Sequence, residues 1–383
     1  MEIEIKVVGS LATCSRDEWQ ELAGDNPFVS YDFLDLLQRS GCASPATGWH
    51  PRYLLARREG RLVGATFAYL KTHSRGEFVF DQGWAQAFQQ HGIAYYPKLL
   101  VAVPFSPVTG NRLLGESEEI RDVLAKALLT LAQDLKVSSV HVLFPDADDE
   151  RVLIGAGYMV REQIQFHWTN EEYPDFTAFL SAMSHDKRKK IKQDRRRVND
   201  AGVSFKWLSG ESIGDAELEF FYACYQKTYE EHWSAPYLTL AFFKELHLLQ
   251  PDMLVLVLAE REGQGLACAL NVQGGGVLYG RYWGAVDFVS GLHFETCYMQ
   301  AIEYCIRNGL NKFEGGAQGE HKMARGLLPA RTTSAHWVAD PRFADAIADF
   351  LSREVQAVGE YMEGLERSSP FRHDTPGSTN AKQ

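Results

Sequence analysis

The stretch Lys312 to Lys322 reads Lys-Phe-Glu-Gly-Gly-Ala-Gln-Gly-Glu-His-Lys, and it concentrates groups that can do chemistry. Glu314, Glu320 and His321 are candidate proton acceptors. Lys322 and the following Arg325 are candidate binders of anionic groups, and Gln318 adds an amide. Gly315, Gly316 and Gly319 let the backbone take positive φ and approach a ligand closely. Backbone N–H groups beside glycine are also what a developing oxyanion needs. A polar, glycine-rich loop at a strand end is where α/β proteins usually place chemistry. The same pattern fits a solvated turn.

Other strand ends carry a similar mixture. Gly280-Arg281-Tyr282-Trp283-Gly284 joins a cation to two aromatics, which either wall a cleft or pack through a cation–π contact. His293 and Glu295 open the helix that follows, where His293 is a base or a capping residue. Asp81, before Gly83-Trp84, and Tyr96 and Lys98, in Tyr95-Tyr96-Pro97-Lys98, mark two further candidate substrate contacts lining the first unit's cleft, with packing the alternative for the tyrosines.

The densest charge lies between His185 and Arg197, where eight basic residues face only Asp186 and Asp194, a net of +6 in a chain whose formal charge is -11. Arg188, Lys192, Arg195 and Arg196 fall on neighbouring helical positions. Such a run fits phosphate recognition, whether of an RNA backbone, a coenzyme diphosphate or anionic lipid headgroups. The bland alternative is a solvated helix paired with acidic neighbours.

Several chemistries lack their motifs. There is no GxGxxG opening a helix after a strand, no GxxxxGK[ST], no GxSxG and no HExxH. The six cysteines are scattered without a CxxC pair, as expected of reduced thiols, and no metal site is expected. The N-terminus shows no signal-peptide pattern, and the longest apolar run, near Leu254 to Leu258, is too short to span a bilayer. A cytoplasmic protein is expected.

The elements that must position these residues read as mixed α/β, and 383 residues exceed one small core. Residues 1–170 form one expected unit, residues 171–370 a second, and residues 371–383 a flexible tail rich in Pro, Ser, Thr and Gly. Each unit has a two-strand turn at a Glu-Gly pair, a further strand, a long helix and a buried strand. In the first these are Leu55–Leu70, Lys98–Val103, Ile120–Leu135 and Ser139–Phe144. In the second they are Leu254–Val272, Val277–Trp283, Phe294–Arg307 and Lys312–Glu314. The parallel predicts a duplicated module with two equivalent clefts. The second unit is expected to open on one long charged helix, Phe176 to Asn199. A strand is also expected at Glu77 to Phe80, and a short one at His336 to Val338.

The chain resembles the FemAB-like predicted N-acyltransferases. The residues that carry the resemblance are Phe80-Asp81-Gln82-Gly83-Trp84, Tyr95-Tyr96-Pro97-Lys98, Pro104-Phe105-Ser106-Pro107, Leu278 to Gly284, Leu292 to Tyr298, and Gly315 to Lys322 with Arg325-Gly326. The resemblance implies two tandem GNAT-like modules and transfer of an acyl group from an activated donor to an amine. The donor is then an acyl-CoA thioester or, as in Fem-type relatives, an aminoacyl-tRNA ester. The GNAT pyrophosphate loop, Arg/Gln-x-x-Gly-x-Gly/Ala, is missing before both long helices. The expected acceptor is a small-molecule or peptide amine. tRNA and an anionic surface are the expected partners of the basic helix. A non-catalytic module that binds RNA or anionic lipid is the alternative.

Overall fold

The computed structural model describes residues 2–316 and 319–372. It is built around two hairpins. β2 (Trp49–Arg58) and β3 (Arg61–Lys71) join through Glu59 and Gly60, and β9 (Leu254–Arg261) and β10 (Gln264–Gly274) join through Glu262 and Gly263. All four turn residues have positive φ, the geometry that matches the natural twist of paired strands.

Each hairpin extends into a five-strand set of the same pattern. In the first half β1 (Glu4–Val8) pairs β2, and β3 pairs β4 (Lys98–Val101), all antiparallel; a minor strand β5 (Leu114–Gly115) also pairs β3. β4 then pairs β6 (Ser139–Leu143) in parallel after the crossover helix Glu118–Asp134. In the second half β8 (Val203–Ser209) pairs β9, and β10 pairs β11 (Val277–Ala285). β11 pairs β12 (Lys312–Glu314) in parallel, after a crossover helix that runs from Leu292 to Arg307 with a π-helical turn at Glu295–Met299. This is the duplicated α/β, tandem GNAT-like architecture that the sequence implies.

The closing strands are exchanged. β7 (Met159–Thr169) follows the first set in the chain but pairs β12 of the second. β13 (Leu328–Val338) follows the second set but pairs β6 of the first. The two also pair with each other, from Leu328↔His167 to His336↔Met159. Among the described residues, all thirteen strands therefore form one sheet. The main apolar core likewise crosses the halves: Phe28 meets Tyr279 edge-on with ring centroids 5.0 Å apart, and Phe33 meets Phe242 at 5.9 Å.

Three local expectations need correction. The charged helix is not continuous. It breaks at Met183, which takes extended backbone (ψ 157°) between the helices Phe176–Ala182 and His185–Asp200. There Met183 bridges Phe371, and the Ser184 N–H donates to the Pro370 carbonyl at 2.9 Å, so Pro370 and Phe371 compete with the helix for these backbone groups. Glu77 to Phe80 is loop, because the Glu77 carboxylate is drawn inward to Lys98 and Phe78 has φ 64°. The strand expected at His336 to Val338 extends back to Leu328, since β7 pairs it from Leu328 to His336 while β6 pairs only its end from Ser334.

Candidate functional site between β11 and β12

β11 and β12 pair only from Val277↔Lys312 to Tyr279↔Glu314, and then part. Two features at the parting point cause this. β11 carries a bulge at Arg281, because Gly280 faces Asn271 while Tyr282 faces Leu270. Bulges re-aim side chains and recur beside active sites. On the other strand, a Cβ added to Gly315 would lie 2.7 Å from Leu327, and Gly316 has φ 85°, so neither position accepts a side chain without strain. The result is a wedge opening on both sheet faces. A space of about 360 Å³ lies on one side and one of about 150 Å³ on the other, and both touch Arg281 and Gly315.

The larger opening faces the gap between the halves. It shares Phe78 with a cavity of about 1160 Å³, whose wall includes Tyr96, Arg161, Gln163, Gln165 and Tyr361. Arg281 donates to the Phe105 carbonyl at 2.7 Å, while its Nε has no partner. Tyr282 packs edge-on against Tyr225 and forms part of the apolar wall. Glu314 is buried beside this wedge. Its Oε1 accepts from Lys312 at 2.7 Å, and its Oε2 has no hydrogen-bond partner but lies 3.9 Å from His167 Nε2. His167 in turn contacts Gln165 Oε1 at 3.2 Å, and burial pushes its imidazole down to about 4.

The smaller opening lies under the crossover helix. Trp283 and His293 meet there at a tilt, with centroids 5.2 Å apart, beside Cys297 and Tyr298. Burial, reinforced by His321, Arg325 and Lys322, pushes His293 down to about 4, so it is neutral at physiological pH. Lys322 is buried, donates to the Gly316 carbonyl at 2.8 Å, and is brought down to about 8 by desolvation. Arg325 lies 3.8 Å over the Phe294 ring and 3.8 Å from Asp194. His321 touches the Tyr298 hydroxyl at 3.4 Å, and burial followed by Lys322 lowers its pKa. Glu320 accepts from the Tyr361 hydroxyl of the terminal helix Pro341–Arg367. Gln318 lies outside the described residues.

The sequence candidates therefore do not form one cluster. Arg281, Tyr282, Trp283, His293, Gly315, Gly316, Lys322 and Arg325 gather around the wedge, with Glu314 on one side and His321 on the other. Asp81 and Lys98 form a buried ion pair in the first half, with Glu77 2.7 Å from the same Lys98 ammonium. Ser74 bridges Lys98, at 2.8 Å, to the Tyr96 hydroxyl, at 2.8 Å. Glu295 is buried in the π turn, where it accepts from Arg195 at 3.0 Å and Gln300 at 2.7 Å. Arg195 reaches Glu303 too, and Arg188 is half-buried near Ser181. Lys192 and Arg196 are exposed. Arg195 is thus an anchor, while Lys192 and Arg196 lie on the helix's outer face, without an ion-pair partner among the described residues. Sequence reading passed over His167 and Gln165. Their signal was present, since Gln163, Gln165 and His167 alternate with Ile164, Phe166 and Trp168.

The equivalent wedge of the first half is closed. β4 and β6 pair only from Leu99↔Val140 to Val101↔Val142, but the space beyond is filled by the chain itself. The fully buried Arg112 donates to the Leu143 carbonyl at 2.8 Å, and the Gly110 N–H donates to the Phe144 carbonyl at 3.1 Å. Among the described residues, no group of His, Cys, Asp and Glu is arranged to hold a metal, and no helix is long and apolar enough to cross a membrane.

A tandem GNAT-like sheet with one open wedge between parallel strands defines an acyltransferase-type architecture. The chain belongs to the FemAB-like family, described as peptidoglycan biosynthesis/recognition, whose model matches residues 10–373. Among solved structures it is similar to FemX, with a TM-score of 0.54 and 11% identity over 90% of this chain and 100% of that one. It is also similar to L-PGS from Bacillus licheniformis (TM-score 0.53, 12% identity, 88% and 95% of the two chains). The C-terminal domain of a putative lysylphosphatidylglycerol synthetase from Agrobacterium fabrum gives a TM-score of 0.52 at 8% identity, over 89% and 96% of the two chains. At these identities the likeness is one of fold. No curated protein matches the chain in sequence.

Proposed function

We propose that the protein transfers an acyl or aminoacyl group from a thioester or tRNA ester to an amine, at the wedge between β11 and β12. The observation that carries this is the meeting of two openings at Arg281 and Gly315, because two reactants can approach one point from opposite faces of the sheet. Holding reactants in that relation supplies much of the rate in group transfer. Membership of the FemAB-like family supports the same reaction class.

The polyanionic donor enters on the face bearing Lys322, Arg325 and the basic helix, with His293 neutral beside its acyl group. The amine acceptor enters through the large cavity between the halves, past Tyr96, Arg161 and Gln165. Glu314, with its unpartnered oxygen on that face, takes a proton from the incoming ammonium. The amine nitrogen then bonds to the carbonyl carbon. The carbon–sulfur or carbon–oxygen bond breaks, and the leaving thiolate or alkoxide takes up a proton. Backbone N–H groups around Gly315 and Gly316 face the developing oxyanion.

The test is native mass spectrometry of the purified protein with acetyl-CoA and with bulk aminoacyl-tRNA, on wild type and Gly315→Val. Retention of either donor by wild type and its loss in the filled wedge supports the proposal. Equal retention by both proteins, or retention of neither donor, refutes it.

A further inference from the structure

Two loops at the mouth of the second half's wedge end in large apolar side chains that nothing covers among the described residues. Trp233 is 96% exposed and sits at φ 53°, a strained backbone for a bulky residue. Phe288 is 87% exposed, and Val286 beside it 41%. The loops are neighbours, since Lys227, two turns before Trp233, donates from Nζ to the Val286 carbonyl at 2.8 Å. The Phe288 loop then runs onto the basic helix. Gly291, at its end, packs against Val198, and Val289 and Leu292 share a small apolar cluster with Val198. Asp287, beside Phe288, is paired with Arg261 at 2.8 Å, and the exposed Glu230 and Glu231 precede Trp233.

We infer that this end of the second half docks on an anionic lipid bilayer. Trp233 and Phe288 enter the interface, while Lys189, Lys192 and Arg196, exposed and on one side of the adjoining helix, meet the headgroups. Each half of the surface fits that partner. An amphipathic aromatic at the tip of a loop is at home where one side is apolar and the other wet. A cluster of exposed cations on a chain of net charge -11 is drawn to the negative surface potential of such a membrane, and the two signals together give stable peripheral binding. A nucleic acid fits less well, because Val286 offers no π face to a base and the cations lie beside the aromatics rather than around them. This surface shares the basic helix with the donor side of the proposed transfer, its test reads lipid binding alone, and docking would leave the wedge mouth at the membrane surface.

Co-sedimentation of the full chain with vesicles of phosphatidylcholine, with and without phosphatidylglycerol, tests the inference. Binding is expected to the anionic vesicles and to weaken with salt. Trp233→Ser combined with Phe288→Ser lowers the partition coefficient about tenfold or more. Lys192→Glu combined with Arg196→Glu removes the preference for phosphatidylglycerol. Phe288→Ser alone guards against a folding defect in the double variant. Equal binding to neutral vesicles, full binding by the Ser variants, preference for a structured RNA unaffected by them, or a dimer they dissolve would each overturn it.

Discussion

His141 and His336 face each other across β6 and β13 with their Nδ1 atoms 2.7 Å apart. One Nδ1 must donate and the other accept, so the pair holds a single proton between those atoms. Their Nε2 atoms are bonded to Ser139 and Ser334, each at 2.8 Å. This contact joins the first half to a strand supplied by the second. Burial pushes His336 down to about 3 and His141 well below its ordinary value.

The pair makes the exchanged strand sensitive to acid. Above pH 6.5 both histidines are neutral in the folded and unfolded chain, and they contribute no pH dependence. As pH falls below 6.5 the unfolded chain takes up protons that the folded chain refuses, and stability is lost down to about pH 3, by about 1.4 kcal/mol per pH unit per group. His336→Phe should cost about 2 to 4 kcal/mol at pH 7, because it leaves His141 and Ser334 without partners. The gap to wild type should then narrow as pH drops to 4.5. Urea unfolding at both pH values reads this directly, and a constant gap would count against it.

Among the three carboxylate and imidazole candidates of the glycine-rich stretch, turnover should single out one. Glu314→Gln is expected to lower kcat by about 100-fold or more, the usual cost of a lost general base, with KM little changed. Glu320→Gln should act weakly, because the Tyr361 hydroxyl already engages the Glu320 carboxylate. Wild-type kcat in the Glu314 variant would reassign the base.

Lys98 is a structural cation. It is 1% exposed and serves both Glu77 and Asp81. Burial raises the Glu77 carboxyl to about 7, whereas Lys98 overcomes burial at Asp81 and holds it well below the usual range. Lys98→Met should cost about 3 to 5 kcal/mol, the penalty of buried charge left without its partner. Adding Asp81→Asn should recover part of it. Thermal unfolding of the single and double variants decides, and additive losses would refute the coupling.

Neighbouring arginines on the basic helix should behave oppositely. Arg195→Ala strips the buried Glu295 of its cation and should cost about 1 to 3 kcal/mol, discounted because Arg195 is partly exposed. Arg196→Ala should stay within about 0.5 kcal/mol in stability, yet weaken binding to anionic partners. Paired melting and binding curves separate the two roles.

Much of this was written locally. The hairpins at Glu59-Gly60 and Glu262-Gly263, the crossover helices and the net +6 run follow from turn chemistry, periodicity and charge, which act between residues near in sequence. That is why the duplication and the family resemblance were legible, and why Arg281, His293 and Gly315 could be singled out. The exchange of β7 and β13 was not, because a strand's alternation states which face is buried and not which distant strand it meets. For the same reason nothing local separated Asp81 and Lys98, an internal ion pair, from the wedge residues, or Arg195 from Arg196. Nor could it show that Arg112 closes one of two like clefts. Long-range packing decided those points, since only in the folded chain do a buried charge and its partner, or a gap and the side chain that fills it, come together.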